Sequence, residues 1–93
     1  MIILADIGNS QIKTAISQDD KITKIKTFSL KDMNLVKRYF KNICKKEKCS
    51  LLYSSVLGRD FEKEFKSATN NIFKKIDKFK STKSFLSVKN SYS

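Results

Sequence analysis

Hydrophobic and polar residues follow patterns along the chain that predict strands and helices in a regular order. Apolar runs typical of β-strands lie at 2–7, around 12–16, at 21–28 and at 49–56. Two stretches, one after Ser29 and one over 59–71, repeat apolar residues every three or four positions, as a helix with one buried face does. A weak strand at 72–76, a polar loop at 77–83 and a short strand at 85–88 complete the order β-β-β-α-β-α-β. These elements predict an α/β fold built on a mixed β-sheet.

Two local details refine this prediction. In the third run, Ile22 and Ile25 fall on opposite faces of a strand, so we expect an edge strand or a strand with a bulge. Ser29 and Asp32 have the spacing of a capping box, in which a hydroxyl and a carboxylate satisfy the free backbone donors at a helix start. The apolar stripes of both helices are predicted to pack in the core: Val36, Tyr39, Phe40, Ile43 and Cys44 in the first, and Phe61, Phe65, Ala68 and Ile72 in the second.

A short polar turn between the first two runs is a candidate binding site. Gly8 and Asn9 form it, and both residue types tolerate the positive φ that a tight hairpin turn demands. Asp6 lies near the end of the first strand, and Ser10 and Lys13 follow the turn. Backbone N–H groups, small polar side chains and a lysine suit the phosphates of a nucleotide, and a carboxylate can hold a hydrated Mg²⁺. The alternative is an ordinary buried hairpin with a polar turn.

Length and composition indicate one small globular domain. The chain has 93 residues, of which 40% are hydrophobic, enough for one modest core. No apolar run approaches the roughly 20 residues of a membrane-spanning helix. Met1 leads directly into the first strand without a basic region or a cleavage site, so we expect no signal peptide and a cytoplasmic location.

The chain is strongly basic, with 20 basic and 9 acidic residues and a net charge of +11. Only Arg38 and Arg59 are arginines, although sites that read bases or clamp phosphates favour arginine. The lysines are spread along the whole chain. We therefore interpret them as a solvated surface and do not expect a specific nucleic-acid site.

Two cysteines, Cys44 and Cys49, do not indicate a metal site. The chain has no histidine, so a zinc site of cysteine and histidine ligands cannot be assembled from one copy. A disulfide is not expected in a reducing cytoplasm. We predict free thiols that act as small apolar residues.

The turn and its flanks resemble the first phosphate motif of type III pantothenate kinases, D-x-G-N-S/T-x-x-K. These enzymes belong to the actin/hexokinase/Hsp70-like ATPase superfamily. A glycine turn after an aspartate is common to the superfamily, and the added asparagine, hydroxyl and lysine narrow the resemblance to this family. The resemblance implies that ATP is bound by one continuous stretch: Asp6, Ile7, Gly8, Asn9, Ser10, Gln11, Ile12 and Lys13. It also implies that Asp6 holds Mg²⁺ through a water molecule.

The resemblance continues to the end of the chain. The Ser-Ser-Val stretch at 54–56 is similar to one that ends the corresponding strand in the family. Its serines can line the nucleotide cleft or be satisfied by the backbone. The Asn-Ser-Tyr stretch at 90–92 resembles an N-x-Y element whose tyrosine helps to bind pantothenate, which makes Tyr92 a candidate substrate-binding residue. In the family a G-x-D-R stretch with the catalytic base follows, so we expect that base beyond residue 93 and name no catalytic residue here.

The other acidic residues lie in predicted turns, caps and helix faces. None of them has a setting comparable with that of Asp6 near the end of a buried strand. We interpret them as solvated charges: Asp19, Asp20, Asp32, Glu47, Asp60, Glu62, Glu64 and Asp77.

The resemblance also implies a fold and a reaction. Residues 1–93 are expected to form a single ribonuclease H-like (actin-like ATPase) half-domain, with the second half-domain absent and the chain inactive by itself. The implied reaction is the ATP-dependent phosphorylation of pantothenate to 4'-phosphopantothenate, the first step of coenzyme A biosynthesis. Family members are homodimers that need Mg²⁺ and a monovalent cation, K⁺ or NH₄⁺, whose ligands lie in the missing part. Two alternatives stay open: a non-enzymatic transcriptional accessory factor that binds an anionic partner, and another sugar or acyl kinase of the superfamily.

Overall fold

The computed structural model of the chain describes residues 1–45 and 48–79. These residues form five strands, two α-helices and a short 3-10 helix. The strands are β1 (Ile2–Ile7), β2 (Gln11–Gln18), β3 (Lys21–Ser29), β4 (Ser50–Ser55) and β5 (Lys75–Lys78). The 3-10 helix spans Leu30–Asp32, and the α-helices are α1 (Met33–Ile43) and α2 (Arg59–Thr69).

The strands pair in one mixed sheet with the order β3-β2-β1-β4-β5. Strand β2 is antiparallel to both β1 and β3, and β4 is parallel to both β1 and β5. Tight turns can join the antiparallel strands, whereas each parallel connection needs a crossover, which α1 and α2 supply. The predicted α/β class with a mixed sheet is therefore confirmed.

Both helices pack on one face of the sheet, where the main core lies. Val36 and Phe40 of α1 and Phe65 of α2 form one buried cluster with Ile3 and Ile7 of β1. A smaller buried cluster lies on the opposite face and consists of Leu4, Ala15 and Ile22, with Leu52 and Phe79 packed against it. Among the described residues, neither helix has the length and apolar character needed to cross a membrane.

Strand β3 lies at the edge of the described sheet and contains the predicted irregularity. Thr14 pairs with Lys26 but Ile16 pairs with Thr23, so β3 has one residue more than β2 over this stretch. Such an extra residue is a β-bulge. Lys24, which lies at the bulge, has a positive φ of 51°, and such a value is unusual for a lysine. The expectation of an edge strand or a bulge is confirmed, since β3 has both features.

The start of the first helix agrees with the predicted cap only in part. Ser29 precedes the 3-10 helix, and its hydroxyl accepts a hydrogen bond of 3.2 Å from the backbone N–H of Lys31. Asp32 makes no side-chain cap to α1. The chain enters α1 through a 3-10 turn, so the capping residue is confirmed and the reciprocal role of the carboxylate is wrong.

The carboxyl-terminal part of the described chain differs most from the prediction. The last strand is Lys75–Lys78 instead of 72–76, and Asp77 and Lys78 belong to it although they were predicted as loop. Ile72 and Phe73 are buried outside the strand. The strand predicted at 85–88 and the Asn-Ser-Tyr stretch at 90–92 lie outside the described residues.

Candidate functional site

The carboxyl ends of β1 and β4 meet at one edge of the sheet and bring two polar residues together. The two strands are parallel, and Asp6 pairs with Ser54 in their register. The hydroxyl of Ser54, which is 1% exposed, donates a hydrogen bond of 3.4 Å to Oδ1 of the half-buried Asp6 carboxylate. Asp6 is therefore held at the strand end where ligands bind in open α/β sheets.

Lys13 lies opposite Asp6 on the other neighbouring strand. The two residues pair across β1 and β2, so their side chains leave the same face of the sheet. Lys13 is exposed, and among the residues that the structure describes it forms no ion pair with Asp6 or with another carboxylate. A carboxylate and an ammonium group thus stand beside the turn with most of their bonding capacity unused.

The turn itself closes differently from the prediction. The backbone N–H of Gly8 donates a hydrogen bond of 2.8 Å to the carbonyl of Gln11, which extends the β1–β2 ladder by one pair. The bend is therefore made over Asn9 and Ser10, which are both exposed. Positive φ values in the described chain occur at Asp19, Asp20 and Lys24, and neither Gly8 nor Asn9 has one. The expectation that the turn uses positive φ at Gly8 and Asn9 is wrong, because Gly8 belongs to the ladder and the bend over Asn9 and Ser10 is made with negative φ.

The fold does not require glycine at position 8. A Cβ atom there would lie 3.5 Å from the carbonyl oxygen of Gln11, which is an ordinary van der Waals contact. With neither a positive φ nor a steric conflict, alanine fits this backbone. One remaining use of a glycine is the close approach of a ligand to the main chain.

The remaining residues of the motif divide into supporting and exposed positions. Ile7 and Ile12 pair across the hairpin and are fully buried in the main core, so they anchor the turn and face away from solvent. Gln11 is exposed at the start of β2. The side chains of the motif that a ligand can reach are Asp6, Asn9, Ser10, Gln11 and Lys13.

The two serines at the end of β4 have different partners. Ser54 bonds to Asp6, whereas the Ser55 hydroxyl accepts a hydrogen bond of 3.0 Å from the backbone N–H of Leu57. Ser55 thus stabilises the local turn after β4. Of the two interpretations of these serines, a place beside the site fits Ser54 and satisfaction by the backbone fits Ser55.

A second polar cluster, formed by Tyr53, Glu62 and Lys78, was not predicted. The buried Tyr53 hydroxyl donates to Oε1 of Glu62 at 3.0 Å, and Lys78 Nζ lies 2.9 Å from Oε2. Glu62 has a side chain that is only 15% exposed, so its interpretation as a solvated charge is wrong. No local pattern signals this cluster, because the partners of Glu62 lie nine residues before and sixteen residues after it in the sequence.

The contacts of this cluster shift the pKa values of its members. The hydrogen bond from Lys78 is the main cause that lowers the pKa of Glu62. Burial raises the pKa of Tyr53 to about 12, and the hydrogen bond to Glu62 adds to this effect. The cluster is therefore an ionised carboxylate between two donors, and all its bonds are internal to the fold.

The other acidic residues of the described chain are exposed, as predicted. They are Asp19, Asp20, Asp32, Asp60, Glu64 and Asp77, whereas Glu47 lies outside the described residues. The part of the chain that the structure describes contains no group of three or more His, Cys, Asp or Glu residues that could hold a metal ion. Magnesium in phosphate sites is commonly bound by one or two carboxylates, phosphate oxygens and water, so Asp6 alone fits the protein's share of such a site.

Neither cysteine forms a disulfide within the described residues; Cys49 is buried and Cys44 is half-buried. Burial, with a contribution from the neighbouring Cys49, raises the pKa of the Cys44 thiol to about 12. A thiol with so high a pKa stays protonated near neutral pH and is a poor nucleophile. These features agree with the predicted role as small apolar residues.

Comparisons with known proteins leave the chain without a family assignment. No model of a protein family matches the chain. No curated protein matches it either.

Proposed function

We propose that the chain is the nucleotide-binding amino-terminal half-domain of a type III pantothenate kinase. The observation that carries the proposal is that Asp6, Lys13 and Ser54 lie side by side near the carboxyl end of β1, beside an exposed turn. The glycine of that turn has no role in the backbone conformation. A site for the phosphates of ATP accounts for all of these features together.

The sheet supports this proposal at the level of the fold. The order β3-β2-β1-β4-β5, with both helices on one face, is compatible with a ribonuclease H-like half-domain. The candidate turn follows the central strand, where the carboxyl end of β1 opens toward solvent. In this proposal the nucleotide lies against that end of the sheet.

Four accessible side chains of the motif, those of Asp6, Asn9, Ser10 and Lys13, have a task in the proposed site. The ammonium group of Lys13 neutralises phosphate charge, and the side chains and backbone N–H groups of Asn9 and Ser10 donate hydrogen bonds. Asp6 positions the water shell of Mg²⁺, and the ion supplies further neutralisation when bound. Phosphoryl transfer depends chiefly on positioning and charge neutralisation, so these tasks are what a half-domain of this kind contributes.

The acceptor side of the reaction is part of the same proposal. By the resemblance, pantothenate is the acceptor, Tyr92 is one of its contacts, and the active form is a cytoplasmic homodimer with a monovalent cation. Tyr92 lies outside the described residues.

Calorimetric titration of the chain with MgATP tests the nucleotide site. We expect saturable binding that is weakened on the order of tenfold by Lys13→Ala and by Asp6→Asn, because each change removes one charge that faces phosphate or its metal ion. Lys63→Ala is the matched control, since Lys63 is an exposed lysine on α2.

Two outcomes of that titration would reject the proposed site. Unchanged binding in both motif variants would mean that phosphate does not bind at the turn. Equal weakening by the Lys63 control would reduce the effect to net charge, and the proposed site would be rejected.

A further inference from the structure

The net positive charge is high over the stretch that contains β3 and α1, because acidic residues are scarce there. Between Lys21 and Lys45 there are eight basic residues and one acidic residue, so this stretch carries +7 of the total charge of +11. No ion pair to a described carboxylate neutralises any of these basic side chains. In the sheet order this charge is separated from Asp6 of β1 by one strand, β2.

A groove of about 430 Å³ runs between β3 and α1. On the helix side its walls are Leu35, Arg38, Tyr39 and Asn42, which recur every three or four residues along one stripe. On the strand side it is bounded by 26–29. The lining includes one basic residue on each side, Lys26 of the strand and Arg38 of the helix, and one acidic residue, Asp32.

The floor of the groove is apolar and aromatic. Leu35 is 48% exposed, and the half-buried rings of Phe28 and Tyr39 have centroids 5.4 Å apart. Lys26 Nζ lies 4.9 Å from the Tyr39 centroid and 5.4 Å from that of Phe28, so the ammonium group covers the ring faces. An apolar side chain can rest on Leu35, and a carboxylate can reach Lys26 or Arg38.

The strand wall of the groove offers free backbone groups. The backbone N–H of Leu30 donates to the carbonyl of Ser10 at 3.0 Å, and Phe28 pairs with Ile12. Backbone groups in an antiparallel strand point alternately toward and away from the neighbouring strand. Those of Thr27 therefore point to the open edge of the described sheet, where a further strand can pair.

We propose that this groove, termed the β3–α1 groove, binds an extended acidic peptide segment with interspersed apolar residues, added as a strand to β3. The peptide backbone pairs with the open edge, its apolar side chains contact Leu35, and its carboxylates contact Lys26 and Arg38. Nucleic acid fits less well, because bases need free ring faces for stacking and Lys26 covers those of Phe28 and Tyr39. The inference is independent of the proposed kinase function.

Fluorescence anisotropy with a labelled peptide of Glu-Ser-Val-Ser repeats, which presents glutamate and valine on the same face of an extended strand, tests the charge contact. Arg38→Glu is expected to weaken binding about tenfold or more, because it places like charges opposite each other. Lys63→Glu makes the same charge change on α2 and is expected to leave the affinity within about threefold. Leu35→Ser is a further groove variant. Leu35, Arg38 and Lys63 are all exposed, and far-UV circular dichroism checks that each of the three variants keeps its fold.

Backbone pairing is tested with two further peptides that carry N-methyl groups on alternate residues, in opposite registers. One register removes the N–H groups that face β3 and is expected to abolish binding, whereas the other leaves them intact. Equal binding of both methylated peptides would overturn the proposal. The proposal would also be overturned by a thymidine oligonucleotide that binds more tightly than the peptide and whose binding is lost in the Arg38→Glu variant. Failure of the unmethylated peptide to bind would also overturn it and would leave the lysines of β3 as protection of a free sheet edge.

Discussion

The two turns that flank β2 differ in backbone conformation, and residue type alone predicts the opposite difference. The turn after β2 consists of Asp19 and Asp20, both with positive φ, at 54° and 63°. This geometry is that of a type I′ hairpin turn, which favours asparagine and glycine. In the hairpin before β2, Gly8 directly precedes the bend over Asn9 and Ser10 and has no positive φ. Glycine therefore occurs where the backbone does not need it and is missing where the backbone would favour it.

The two turns also differ in their surroundings: one serves the fold alone, and the other lies in the proposed binding site. At Asp19 and Asp20 the exposed side chains face no partner in the described chain, and the turn does no more than reverse the strand. At Gly8 the surrounding residues include a carboxylate and a lysine with few internal contacts. In the proposed nucleotide site, a glycine that the fold does not demand lets the phosphates approach the main chain closely.

The substitution Gly8→Ala should give the largest change in MgATP affinity, and it tests directly whether Gly8 serves binding or folding. We expect the affinity for MgATP to fall about tenfold, near 1.4 kcal/mol, because the added methyl group takes the space of a phosphate oxygen. The free energy of unfolding should change by less than about 0.5 kcal/mol, since the Cβ atom has room. Calorimetric titration and urea denaturation measure the two quantities. A loss of stability with unchanged nucleotide affinity would show that Gly8 serves the fold.

A comparison of the two partly buried carboxylates sharpens the same distinction. Glu62 has two short hydrogen bonds, whereas Asp6 has one of 3.4 Å. Glu62→Gln should therefore lower the free energy of unfolding at neutral pH by about 1 kcal/mol. Asp6→Asn should change it by less than about half of that. Urea denaturation of both variants makes the measurement, and a larger loss at Asp6 would identify it as a structural residue.

The effect at Glu62 should depend on pH. Its pKa lies below the ordinary value of 4.5, mainly because Lys78 donates a hydrogen bond to it. A carboxylate with a lowered pKa contributes stability above its ordinary pKa and loses it as the pH falls through the pKa of the folded state. The difference in unfolding free energy between the original chain and Glu62→Gln should therefore shrink below pH 4.5. A difference that stays constant down to acid unfolding would contradict the ion pair.

The substitution Asp20→Gly should give the smallest effect and the opposite sign. It creates the Asp-Gly pair that type I′ turns prefer and removes a side chain from a residue with a φ of 63°. We expect a gain of about 0.5 kcal/mol in the free energy of unfolding and no change in nucleotide affinity. Thermal and urea denaturation measure the gain, and a loss of stability would argue that Asp20 has a contact of its own.

Local patterns in the sequence were sufficient for most of the fold. The run Ile2–Ile7 forms a strand with the predicted bounds, and the apolar stripe around Val36 and Phe40 faces the core. These elements follow from periodicity because each buries one continuous face. The mixed sheet follows in turn, since helices between strands favour parallel pairing.

Contacts between distant segments could not be predicted in this way. Strand β5 depends on pairing of Ile76 with Leu51 of β4, and its own sequence is mostly charged. Glu62 looked solvated because its partners come from two other strands. Gly8 pairs with Gln11 and so belongs to the ladder, which residue type does not indicate. The composition of the candidate site was thus visible in the sequence, whereas its hydrogen bonding was not.

The most direct test of the nucleotide site is a titration of nitrogen-15-labelled chain with MgATP, followed by the amide resonances of the two turns. The account predicts saturable shifts at Asn9, Ser10 and Lys13, and resonances of Asp19 and Asp20 that stay unchanged. Shifts confined to α1, or equal shifts at both turns, would contradict it and would assign any binding to the general positive charge of the surface.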